Sequence, residues 1–230
     1  MKRINNILIM LISFLATILV VWYFVKGDVK EERQNEEQQV TTEESGDDKQ
    51  QEVKLNKDEV LKINERTFKK QDIEFLRNIQ KAQIDVAAKE DTSGDASFYK
   101  QKIKDQDSEN LQLQNQVELE AIALLGKEKG YEIDKSDLKK EVESFKKKHQ
   151  SSEYYKEAEK LFEEEQFYQS LEKYVHDQMM RDRVIEEIKK IKKADNPKLK
   201  GQELDFEVRQ YFDDLYKDAV NDLTISTNYK

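Results

Sequence analysis

The stretch Leu111–Phe145, LQLQNQVELEAIALLGKEKGYEIDKSDLKKEVESF, decides the fold class. Its first half ends apolar nearly all round, with Val117, Leu119, Ala121, Ile122, Ala123, Leu124 and Leu125. A helix with no wide polar face has to be covered by other elements. Gly130 is its expected stop, because glycine accepts the left-handed conformation that helix ends often need. Tyr131 and Ile133 turn back as an apolar pair. Asp134, with Asp137 three residues on, reads as the start of a second helix. Its Leu138, Val142 and Phe145 recur at i, i+4 and i+7. A buried helix, a glycine stop and an amphipathic helix in that order predict a helical hairpin with a core.

The bulk composition agrees. The chain has 230 residues, with charged residues at 39% and hydrophobic residues at 37%, enough for one medium domain or two small ones. One proline and six glycines leave long helices uninterrupted, which leans towards an all-α fold. A net charge of −9 argues against nucleic acid as a partner. The absence of cysteine excludes disulfides, thiolate metal sites and cysteine nucleophiles.

Downstream of the hairpin, Lys146-Lys147-Lys148-His149 makes a basic helix end suited to the macrodipole. Ser151 or Ser152 caps the next helix, in which Ala158, Leu161, Phe162, Tyr168, Leu171 and Val175 recur at helical spacing. Met179, Val184, Ile188 and Ile191 continue that pattern. Asn196-Pro197 through Gly201 is the strong break of this half. A last helix follows with Val208, Phe212, Leu215 and Ala219 on one face, and Leu223–Thr227 alternates like a strand.

Upstream, Val60–Asn64 reads as a short strand and Asn64-Glu65-Arg66 as a turn. A helix from about Lys69 carries Phe75, Ile79, Ala82 and Val86 as its buried stripe. Asp91-Thr92-Ser93-Gly94 breaks it. The next helix begins near Asp95, and its polar start, KDQDSENLQLQNQ, is expected to project into solvent before entering the core.

Residues 28–57 offer almost nothing to bury and read as a disordered acidic linker. Before it, Lys2 and Arg3 precede an apolar run over residues 7–25. At about 1.5 Å per residue the run matches one hydrocarbon thickness of roughly 30 Å. It ends on Trp22, Tyr23 and Phe24 rather than on small residues, which favours an uncleaved signal-anchor over a cleaved signal peptide. The expected location is the cell membrane, single-pass, with the body outside the cytoplasm.

Four motifs in this order resemble the N-terminal chaperone region of the SurA-type and PrsA-type extracytoplasmic foldases. VLKINERTFKKQDIEF is similar to that family's opening strand, turn and helix, and AIALLGKEKGYEIDKSDLKKEVESF to its central helices. SSEYYKEAEKLFEEEQFYQSLEKYVHDQMMRDRVIEEI and FDDLYKDAVNDLTIS resemble the helices and strand that follow. The resemblance covers about residues 58–227. Two departures stand out. Glu65 occupies a turn position where the family carries glycine. Only about ten residues near Ala194–Glu203 stand where a parvulin prolyl-isomerase domain would be inserted, too few for such a domain.

Together with the anchor and linker read above, the resemblance gives a mainly α chain in three parts. These are a transmembrane segment over residues 1–27, the linker over 28–57 and a helical domain over 58–230. The C-terminal helix (203–222) would pack back on that domain, and its two ends would pair as a short two-stranded ribbon. It also implies an ATP-independent chaperone-like module, not an enzyme, that binds unfolded or extended segments of exported proteins. A non-catalytic envelope protein docking one defined partner is the alternative, and a prolyl isomerase ranks last.

No catalytic constellation and no cofactor are expected. His149 and His176 lie on different helices, and no phosphate-cradling glycine loop, HExxH or GxSxG occurs. The acidic runs Glu163-Glu164-Glu165 and Asp213-Asp214 read as solvated charge. Six aromatic residues between Tyr154 and Tyr174 subtend too wide an arc for one core stripe. On one reading Phe162 and Tyr168 are core and the rest cover neighbouring helices. On the other, Tyr155 or Phe167 lines an exposed apolar groove for unfolded segments, with flexible Met179 and Met180 nearby.

Overall fold

A computed structural model describes residues 55–92 and 95–228. The expected anchor at residues 7–25 and nearly all of the linker at 28–57 lie outside the described residues. Among the described residues, no helix is long and apolar enough to cross a membrane. The body is mainly helical. In order it holds β1 (Glu59–Ile63), β2 (Arg66–Lys69), α1 (Lys70–Glu90), α2 (Ala96–Asp105) and α3 (Glu109–Glu128). Then come α4 (Lys135–His149), α5 (Glu153–Glu159), α6 (Glu164–Asp195), α7 (Gly201–Asn221) and β3 (Ile225–Thr227).

The two ends of the body pair, but in a sheet of three strands rather than two. The order is β2-β1-β3, antiparallel throughout. Leu61 stands opposite both Phe68 and Thr227, and Ile63 opposite both Arg66 and Ile225. Arg66–Lys69, expected as a turn and lead-in to a helix, is the added strand. In the turn, Asn64 takes the left-handed conformation (φ 52°), which asparagine tolerates better than most residues. Glu65 therefore needs no glycine-like geometry. Leu61, Ile63, Phe68 and Ile73 form a small core beneath the sheet.

Helix α3 holds the deciding stretch. Ala121, Ile122 and Leu125 are buried as its apolar run requires. Gln112, Gln116 and Glu120, spaced at i, i+4 and i+8, are buried as well. The polar start is only partly in solvent: Asp107–Asn110 are exposed, while the glutamines turn inward. Gln112 Nε2 donates to the Gln106 carbonyl at 2.9 Å, and Asn115 Nδ2 donates to Gln80 Oε1 at 2.9 Å. A break at Gln106–Ser108 also divides the single expected helix into α2 and α3, and the Ser108 hydroxyl accepts from Leu111 N–H.

The end of α3 is the predicted glycine stop. Gly130 has φ +73°, Tyr131 N–H donates to the Gly126 carbonyl and Gly130 N–H to that of Lys127, both at 3.0 Å. This is the Schellman arrangement, which satisfies carbonyls a helix end would leave unpaired. Asp134 then caps α4 through the N–H groups of Ser136 and Asp137. Gly126, inside α3, permits a close approach to α6: a Cβ there would meet Sδ and Cγ of Met180.

Two larger cores complete the body. One gathers Phe75, Leu76, Ile79 and Ala82 of α1 against Leu138 and Phe145 of α4, Tyr155 and Ala158 of α5, and Phe167, Leu171, Tyr174 and Val175 of α6. The other sets Ile122 and Leu125 of α3 against Val184 and Ile188 of α6 and Leu204, Val208 and Phe212 of α7. Each buried side chain of this size contributes about 1.5–3 kcal/mol relative to an exposed one. The last helix thus packs back on α3 and α6. Only Asn196–Lys200 separate it from α6.

The aromatic set corrects the helical phase read from sequence. The chain breaks between Glu159 and Glu164, so these residues do not share one helix. Tyr155, Phe167 and Tyr174 are the buried members, whereas Phe162 and Tyr168 pack from the edge of the core. The Tyr155 and Phe75 rings meet Phe167 edge-on at 5.5 and 5.9 Å, a favoured aromatic geometry.

Candidate functional site

The residues expected to line an apolar groove do not do so. Tyr155 is 0% exposed, Phe167 2% and Met180 3%. Tyr155 and Phe167 fill the first core, Met179 packs at its edge and Met180 sits under Gly126 at the α3–α6 contact.

A different cleft, of about 110 Å³, opens between β2, the first turns of α1, α3 and α6. Phe68, Phe75, Leu76 and Leu119 give it an apolar wall. Arg66, Thr67, Asp72, Gln116, Ser170, Lys173, Tyr174 and Asp177 supply its polar groups. Strand β2 is an outer strand of the sheet, so among the described residues one of its edges carries no neighbouring strand.

An ionic network runs along the floor. Arg66 donates to Glu120 Oε1 at 2.5 Å, and Lys173 Nζ lies 3.1 Å from that oxygen. Lys173 also reaches Asp177 Oδ2 at 2.5 Å, while His176 Nδ1 stands 3.1 Å from Asp177 Oδ1. Both carboxylates are buried and both cations are part-exposed. Two acids thus face two permanent bases, and the network is balanced. Burial pushes the Asp177 carboxyl up to about 6, against the lowering influence of His176. Burial likewise raises Glu120, against the lowering influence of Arg66.

Gln116 is a buried polar side chain of the cleft left free to pair. It is 8% exposed, and no hydrogen bond engages its side-chain amide among the described residues. An amide presents one acceptor and two donors, the pairing set of a peptide group. Ser170 has no base hydrogen-bonded to it among the described residues, and no group of three acidic or imidazole side chains is placed there to hold a metal.

The histidines occupy separate places. His149 is buried, its ring centroid 4.0 Å from that of Phe145 and its Nδ1 2.7 Å from the Phe145 carbonyl. It is a packed residue of α4, not a surface cap, and burial lowers its pKa. His176 stays half-exposed beside Asp177.

The cleft draws on three distant segments, none of them read as a site from the sequence. The available signal was Glu120: an acid inside the apolar run VELEAIALL has to find a cation. No family model, curated protein or solved structure matches the chain.

Proposed function

We propose that this chain is a nucleotide-independent polypeptide-binding module. It is held at a membrane through residues 7–25 and engages extended segments of exported proteins. The observation that supports this most is the cleft beside the unpaired edge of β2. An extended segment can add to a free strand edge through main-chain hydrogen bonds, largely irrespective of its sequence. The Gln116 amide can pair with a peptide group, and the phenyl wall takes one modest side chain. One or two such contacts give weak, reversible binding, which suits a holding role. The order of motifs along residues 58–227 supports the same reading.

The test is light scattering from a denatured model substrate, with the full chain added in detergent. Suppression of aggregation that falls in Gln116→Leu, with unchanged thermal stability, agrees with the proposal. No suppression at several-fold excess ends it.

One observation favours a second reading, in which the same surface docks a single defined partner. With Tyr155, Phe167 and Met180 buried, the exposed large apolar residues among the described ones are Phe98, Ile191, Phe206 and Ile225, each on a different element. Such scattered residues suit a shaped interface more than a general apolar trough. Recovery of one stoichiometric partner in a pull-down would favour it.

A further inference from the structure

The turn between α6 and α7 carries the sequence KKIKKADNPKLKG over residues 189–201. Six lysines stand there against one acid, Asp195, in a chain whose net charge is −9. The last buried residue of α6 is Ile188, and the first of α7 is Leu204. Between them both helices run past the core, joined to each other by half-buried Leu199 and by Lys192, which lies over the Tyr211 ring.

Three of the lysines are committed to the body. Lys189 pairs with Glu186 at 3.2 Å, Lys190 with Glu187 at 2.6 Å and Lys192 with Glu207 at 3.3 Å. Lys193, Lys198 and Lys200 are exposed, and no carboxylate lies within ion-pair distance of them among the described residues. Lysines near a helix C-terminus complement its carbonyl end, which accounts for Lys192 and Lys193. Lys198 and Lys200 lie beyond the helix, where that account does not reach. In the last turns of α6, between Lys190 and Lys192, Ile191 is 45% exposed.

We infer that this lysine-rich turn is a docking surface for an anionic phospholipid bilayer. The three outward lysines meet the headgroups and Ile191 enters the interface between them. Charge complementarity argues for the occupant, since lysines near an anionic bilayer each gain from its surface potential. Only the body's nearness to a bilayer is taken from the anchored reading above. Residues 26–54, even fully extended, carry the body no more than about 100 Å from the bilayer. The turn would fix which side of the body faces the membrane and thereby where the cleft opens.

The absence of cysteine makes Asn196→Cys a unique labelling position. The full chain, carrying a fluorophore there, is mixed with vesicles of phosphatidylcholine alone or of an equal mixture with phosphatidylglycerol, each bearing a headgroup quencher. The expected result is stronger quenching in the mixed vesicles, reversed by high salt. It should be lost in the triple variant Lys193→Gln, Lys198→Gln, Lys200→Gln, whose affinity for the anionic surface should fall roughly 100-fold. Circular dichroism of the triple variant should be unchanged. Equal quenching in both vesicles, or quenching that survives the triple substitution, overturns the inference. So does equal quenching that changes only when the acids of residues 28–52 are neutralised, because the turn then rests on its own chain. If the chain fails to float with phosphatidylcholine vesicles, it is the anchor that fails. Flotation on mixed vesicles that the triple substitution abolishes then still supports the turn, and no flotation overturns it.

Discussion

Asn64 and Thr224 hold each other by two hydrogen bonds across 160 residues of sequence. The Asn64 N–H donates to the Thr224 carbonyl at 2.8 Å, and the Thr224 N–H donates to Asn64 Oδ1 at 2.9 Å. One residue thus turns the chain between β1 and β2 through its backbone and joins the segment leading into the last strand to the first.

Asn64→Ala should cost about 2 kcal/mol, from the lost bond and the left-handed φ that alanine resists. Asn64→Gly should cost about 1 kcal/mol, because only the bond is lost. Urea unfolding of the two variants checks the order, and equal losses would remove the backbone from the explanation.

Gly126→Ala should destabilise by about 1–3 kcal/mol, since its methyl has to displace Met180 inside the α3–α6 contact. Met180→Ala in the same chain should return part of that loss. A double-mutant cycle on thermal midpoints measures the coupling.

Tyr155→Phe should leave stability unchanged or raise it by about 1 kcal/mol. The Tyr155 hydroxyl is buried and has no hydrogen-bond partner among the described residues, so its removal relieves a desolvated group. Burial accordingly holds its pKa well above the usual phenol range. Clear destabilisation on calorimetry would show that the hydroxyl has a partner, such as a bound water.

Asp177 should make the body more tolerant of mild acid. Its carboxyl titrates near 3.8 when unfolded and near 6 when folded, so between those values the folded chain binds more protons. The stability it contributes is fully present below 3.8 and is lost as pH rises through about 6. His149 works the other way: its pKa is lowered from 6.5 by burial, so its contribution is lost as pH falls. The comparison therefore has to be between the parent chain and Asp177→Asn. The parent should gain on the variant as pH falls from about 8 to about 5. Parallel pH profiles of the urea midpoint would contradict this.

Much of the body can be read directly from side-chain spacing. Phe75, Ile79, Ala82 and Val86 all lie on the buried face of α1 because nothing polar interrupts their period. The glycine stop at Gly130 and the cap at Asp134 are local devices with local signatures. The misreadings have a common cause in tertiary partners. Gln112 and Gln116 look like solvent-facing residues until Gln106 and the sheet come to cover them. The α5–α6 break carries no glycine or proline, so the phase of Tyr155 against Phe167 is set only by packing. The cleft was hidden for the same reason. Arg66, Glu120 and Lys173 are far apart in sequence, and only the fold brings both cations within 3.1 Å of Glu120.

The β1–β3 ladder has a mechanical consequence. The strands are antiparallel, and Asn228 binds the carbonyl of Glu59 at 2.9 Å, so the chain enters and leaves the sheet at the same end. Tension between residues near Asn56 and Asn228 would peel the rungs apart one after another, starting at Leu61 and Thr227, instead of loading them together in shear. Force applied across the two ends of the body would therefore open this seam first, while the cores around Ile79 and Ile122 stayed shut.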